Sequence, residues 1–187
     1  MKSPSAGSWP ESRLLSCINP QLLEAAFAIL AGFAVVVLHA RFHWPLKLPG
    51  HHGLEWMATL IFVRRLSTSQ NAASLTALSA AAATSLPVWG FHDTSAIWAY
   101  LLSGLIIDLA YRHVWLREHL LPLALAAGLT HALKPLLHWA AASGFGFEHG
   151  SLRQGLAYPL ILHFGFGTSG AITGGWLARL TRKVRAN

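Results

Sequence analysis

The chain has 187 residues, 53% of them hydrophobic and 11% charged, with a formal net charge of +7. A soluble domain carries about 25% charged residues, so this composition excludes an ordinary soluble surface. The positive charges gather in short runs between apolar segments, which fits membrane topology better than nucleic-acid binding. The single cysteine, Cys17, excludes an internal disulfide or a cysteine-rich metal centre.

Residues 1–19 are rich in Ser and Pro and weakly basic. They lack the apolar core and small-residue cleavage site of a signal peptide and read as a cytoplasmic tail. The first apolar segment, residues 20–40, is long enough for a hydrocarbon core of about 30 Å. It carries Glu24 near its start, and Ala28 and Gly32 form a small-xxx-small pair that permits close helix approach. The stretch from His39 to Trp56 follows, with four of the eleven histidines, two prolines and a carboxylate. It is too polar and too broken by proline to continue either neighbour.

A second segment runs from 53 to 66 and ends in Arg64-Arg65, and a third, alanine-rich, from 70 to 89. The fourth, 95–111, places Asp108 and Arg112 one turn apart, a spacing that predicts a local ion pair. The fifth, 118–142, contains Lys134-Pro135, where a kink is expected. The sixth, 154–180, is glycine-rich and is followed by a basic tail. The expected fold is an all-α integral membrane protein, a compact bundle of six transmembrane helices over residues 20–183. Residues 1–19 and 184–187 are its tails.

Orientation follows from the positive charges. With both termini in the cytoplasm, Lys2, Arg13, Arg64, Arg65, Arg112, Arg117, Arg179, Arg182, Lys183 and Arg185 lie inside. Arg41, Lys47 and Arg153 lie outside, and Lys134 falls within a span. This predicts a multi-pass protein of the cell's inner (cytoplasmic) membrane. His39, His43, His51, His52, His92, His138 and His149 then fall at or near the outer side, with Trp44, Trp56, Trp89, Trp98 and Trp139. An aromatic belt accounts for tryptophans at an interface; it does not account for seven histidines.

His39 and His43 stand at i, i+4, a spacing that suits a metal if the first helix extends that far. The alternative is an interfacial hydrogen-bonding pair. Glu55 is an ionisable group near the membrane, and Asp93 serves equally as a cap of the fourth helix. His131 and His163 lie deeper, facing either a cavity or an interhelical partner. Gly167-Thr-Ser-Gly170 is similar to the nucleophile motif of rhomboid proteases, but no histidine follows Ser169 to act as base. Glycine packing explains the run better, and no catalytic residue is assigned.

The whole layout resembles the substrate-binding S component of energy-coupling factor (ECF) vitamin transporters. The likeness spans residues 20–183: six short segments, a long first outer loop, Ala28 and Gly32, the segment Tyr100–Asp108, and the closing run His163–Gly175 with its basic tail. The resemblance implies a protein without catalysis of its own that binds a micronutrient from outside under the first loop. It implies docking to a transmembrane coupling subunit through Ala28 and Gly32, with separate ATPases supplying energy. The family's usual pair there is Ala-xxx-Ala, so Gly32 departs from it in identity while keeping the small size.

Substrate contacts are expected from His43, Trp44, His51, His52, Glu55, Trp89, His92, Asp93, Trp98, His149 and His163. The ligand would be a vitamin or vitamin precursor, including a cobalt-containing corrinoid such as cobalamin that a histidine could ligate. No resident cofactor and no nucleic acid are expected. The rival reading is a histidine-rich membrane enzyme with a metal near its outer face; a third is a structural membrane protein.

Overall fold

A computed structural model describes residues 19–41, 48–89, 95–145 and 155–186. The described residues form seven α-helices and one 3-10 turn, with no strand. The helices are α1 (Pro20–Arg41), α2 (Gly53–Leu66), α3 (Ala72–Thr84), α4 (Ser95–Arg112), α5 (Val114–Glu118), α6 (Leu120–Phe145) and α7 (Ala157–Ala186). The all-helical expectation therefore holds.

Local chemistry sets several boundaries. Asn19 Oδ1 accepts from the backbone N–H of Gln21 at 2.9 Å, and Pro20 occupies the first helical position, where its missing N–H costs nothing. The third segment is helical only to Thr84 and then tightens into the 3-10 turn Pro87–Trp89. Proline at 87 cannot continue the ladder and disfavours helix at the residue before it. The fifth segment splits: α5 is a separate five-residue helix before α6. α6 runs on through Pro135, which is fully buried.

The six longer helices alternate in direction. Glu24 near the start of α1 accepts hydrogen bonds from Ser67, Thr68 and Ser69 just beyond α2. His39 at the other end of α1 reaches Glu55 near the start of α2. Asp108 near the end of α4 meets the first turn of α3, and Arg182 near the end of α7 donates to the Arg65 carbonyl. One end of the bundle thus holds Arg64, Arg65, Arg112 and Arg182, and the other holds His39, His51, His52, His131 and His163. α2 packs most extensively on α7 and also touches α1, α3, α4 and α6. Its Met57, Leu60, Ile61 and Val63 are wholly buried, each contributing roughly 1.5–3 kcal/mol if transferred from water.

Small residues bring the helices together. A Cβ on Gly32 would lie 2.1 Å from the Thr76 carbonyl oxygen, one on Gly104 2.4 Å from the Ala77 Cβ, and one on Gly174 2.1 Å from the Ala58 carbonyl oxygen. Ala28 is 1% exposed. The Ala28–Gly32 face, expected to dock a coupling subunit, is therefore occupied by α3 of the same chain. Gly170 backs onto the Gly53 and Leu54 carbonyls, while Ser169 is exposed. Gly167, Gly170, Gly174 and Gly175 of α7 thus sit in close contact with neighbouring elements, while Gly165 faces open space.

The expected Asp108–Arg112 pair is corrected. Asp108 instead pairs with Arg64 Nε at 3.0 Å and accepts from the backbone N–H groups of Ala73 (3.2 Å) and Ser74 (2.7 Å). A carboxylate at a helix N-terminus satisfies orphan donors and complements the helix dipole, which outweighs an exposed i, i+4 pair. Arg112 donates to Asn71 Oδ1 at 3.3 Å.

The outward faces are apolar: Leu22, Phe27, Leu30 and Phe33 on α1, Leu105 and Leu109 on α4, Leu125 and Leu129 on α6, and Ile161, Ile172 and Trp176 on α7 are all exposed. Two helices, Pro20–Arg41 and Leu120–Gly144 within α6, are long and apolar enough to cross a membrane. Of the six expected spans, these two carry that signature. α2 and α3, at 14 and 13 residues, fall short of the ~20 that a straight crossing needs.

Candidate functional site

The site grows from the turn before α2. Gly50 has φ +81°, a conformation open mainly to glycine. Its carbonyl accepts the backbone N–H of Gly53 at 2.8 Å and faces His131 Nε2 at 3.3 Å. Added Cβ atoms show how tightly this turn is pressed into the bundle. On Gly50 a Cβ would lie 2.7 Å from the His163 ring, and on Gly53 it would lie 2.3 Å from the His131 ring. Gly128 and Gly167 bring α6 and α7 together behind these histidines, with Gly167 abutting the Cβ of His131.

The result is a convergence of five imidazoles. The rings of His131 and His163 are 5.0 Å apart, those of His52 and His131 5.3 Å, and those of His52 and His163 6.1 Å. His39 lies 5.3 Å from His52 and 6.2 Å from His51. One potential ligand nitrogen from each of His52, His131 and His163 lies within 4.8 Å of the other two. His163 Nδ1 donates to the Pro159 carbonyl at 2.8 Å, which leaves Nε2 with a free lone pair. His51 Nδ1 likewise donates to the Leu48 carbonyl at 2.8 Å.

Charge is arranged around this cluster. His39 Nδ1 bonds Glu55 Oε1 at 2.6 Å, while the second carboxylate oxygen, Oε2, is buried without a hydrogen-bond partner among the described residues. Enclosure by the bundle, and next the Lys134 ammonium, hold His52 well below the usual histidine range.

A narrow cavity of about 20 Å³ opens beside His52 and His131, lined also by Trp56, Tyr100, Ser103 and Lys134. A water needs about 10–15 Å³ by this measure, so the cavity as it stands holds about one water. Trp56 is fixed by donating to Ser103 Oγ at 2.9 Å and by an edge contact with Tyr100 at 4.6 Å.

Of the residues expected to contact a ligand, His51, His52, Glu55 and His163 gather here. Trp89 does not: it packs edge-on against Phe33 with the Arg41 guanidinium over its ring. Trp98 points outward, 65% exposed. His43, Trp44, His92, Asp93 and His149 lie outside the described residues. The metal candidate His39 is engaged with Glu55 at the edge of the cluster. Its expected partner His43 is among the residues not described. His131, Trp56, Tyr100, Ser103 and Lys134 join the site without having been singled out as contacts. The glycines at 50 and 53, flanking His51-His52, were the signal of a close approach.

No protein-family model matches the chain, and no curated protein or solved structure matches it either.

Proposed function

We propose that the chain is an integral membrane protein that binds a small solute for uptake, as the substrate-binding subunit of an ECF-type transporter. The observation that carries this reading is the Gly50–Gly53 turn, which folds the connection between α1 and α2 onto His131 and His163. The solute enters at the histidine end, under that turn. The apolar outward faces of α1, α4, α6 and α7 meet lipid, and the excess of arginine at the opposite end orients that end to the cytoplasm.

In this reading the turn is a lid. With room for about one water beneath it, the described conformation is closed, and any organic micronutrient enters only when the turn lifts. The coupling partner meets the exposed apolar stripe of α1, since Ala28 and Gly32 are covered by α3. Native mass spectrometry of the full chain purified in mild detergent tests the proposal. A small solute bound to the chain, and co-purification with a coupling subunit and ATPases, are expected. A chain that binds no solute and recruits no such partners defeats it.

One observation favours a second reading, a metal-dependent enzyme. Three histidines beside a water-sized cavity match the catalytic pattern of three protein ligands plus water. Recovery of chemically altered solute would select that reading, and recovery of unaltered solute selects uptake.

A further inference from the structure

The geometry points to a divalent transition-metal ion, of zinc-like coordination preference, as the species bound by His52, His131 and His163. This deepens the uptake reading and rests on it for the ion's role as cargo; the binding site itself stands on the geometry alone.

The three side chains come from three separate elements: the turn before α2, the middle of α6 and the first turns of α7. Adjacent histidines on one helix share a face by chance, but three from separate elements converge only because Gly50 and Gly53 let the turn approach the His163 and His131 rings while Gly128 and Gly167 let α6 and α7 meet behind them. Their ligand atoms already lie within 4.8 Å of one another. Tetrahedral coordination at about 2.0–2.1 Å sets nitrogens ~3.4 Å apart, so rotations of ring and χ1 angles amounting to ~1 Å complete the site. An all-imidazole set suits zinc, cobalt, nickel or copper and disfavours magnesium or calcium, which take oxygen ligands.

The surroundings support the ligands as outer partners of metal-bound histidines do. The Pro159 carbonyl fixes the His163 tautomer. The Glu55 carboxylate, bonded to His39, brings a negative charge close to the cluster. Lys134 lines the adjoining cavity and brings a positive charge that opposes it. The cavity beside His52 and His131 supplies space for a water as fourth ligand.

The test uses the full chain in detergent or nanodiscs, stripped with a chelator and then exposed to Zn²⁺ or Co²⁺. Metal retained after desalting is counted by elemental mass spectrometry, and Co²⁺ is followed by its visible absorption. About one ion per chain is expected, with the intense visible bands of four-coordinate cobalt. His52→Gln, His131→Gln and His163→Gln should each weaken binding by more than ~100-fold, while His113→Gln, exposed at the opposite end, should leave it unchanged. Elution profile and thermal midpoint show whether each variant is folded.

A wild-type chain that retains no metal, or folded triple variants that retain it, would overturn the inference. An organic solute that binds tightly and is not displaced by Zn²⁺ overturns the metal assignment and supports the uptake reading. Stoichiometric metal without metal accumulation in cells producing the chain supports the site and overturns the uptake reading.

Discussion

Gly50 and His163 are in contact so close that a methyl group on Gly50 would lie 2.7 Å from the imidazole. The two residues are 113 positions apart, and their contact seats the first connection on the last helix. Gly50→Ala meets two penalties, about 1–2 kcal/mol for the left-handed backbone and the displacement of the ring. The expected outcome is a folded chain with a lowered thermal midpoint and at least tenfold weaker metal or solute retention. Differential scanning fluorimetry and elemental analysis on the same sample measure both.

Asp108 caps α3 from α4 and pairs with Arg64, and both side chains are at least 93% buried, at 2% and 7% exposure. Asp108→Ala strands the Arg64 guanidinium and two backbone donors, at a cost of about 3–5 kcal/mol. Asp108→Asn keeps one acceptor and costs less. Detergent-resistant unfolding followed by circular dichroism should rank wild type above Asn above Ala.

Two glycines of α7 make an internal comparison. A Cβ on Gly174 collides with the Ala58 carbonyl at 2.1 Å, whereas one on Gly165 meets nothing within 4 Å. Gly174→Ala should part α7 from α2 and lower the thermal midpoint. Gly165→Ala should raise it, since alanine is favoured over glycine within a helix by about 0.5–1 kcal/mol. Equal effects at both positions would show that α7 does not pack on α2 as described.

Orientation is checked by thiol labelling. In a Cys17→Ser background, Ser143→Cys lies exposed at the histidine end and Ser69→Cys lies exposed at the arginine end. A membrane-impermeant maleimide added to intact spheroplasts should label Ser143→Cys and spare Ser69→Cys until the membrane is permeabilised. The reverse pattern would place the histidines in the cytoplasm.

The helices were legible in the sequence where punctuation was strong. Asn19-Pro20 opens α1, and the Gly53–Leu66 segment is bounded by a glycine turn and an arginine pair, so α2 matches its expected limits at both ends. Pro87 was visible, but its effect in ending α3 at Thr84 was not, because the alanine run up to Ala83 favours helix and the apolar Leu86, Val88 and Trp89 prolong the hydrophobic segment past the true boundary. The site was legible only in halves. His51 and His52 stood out by density, whereas His131 and His163 looked like isolated deep histidines. The glycines at 50 and 53 signal a close approach, but nothing local records that His163 and His131 are what they approach. The i, i+4 rule drew attention to His39 and His43 for a metal; Glu55 holds His39 through Nδ1, and His43 lies outside the described residues. Likewise Asp108 answered the demand of the α3 N-terminus, a tertiary requirement, over the nearest cation in sequence.

The 14 residues of α2 make a rod of roughly 21 Å, while the hydrocarbon of a bilayer is about 30 Å deep. A central element that short cannot reach both headgroup layers. In the bilayer that the uptake proposal calls for, the Gly50–His52 turn before α2 and the Ser67–Ser69 segment after it would have to complete the crossing. A solute meeting His52, His131 and His163 at that turn would exchange part of its hydration shell for imidazole, with the Glu55 carboxylate close by.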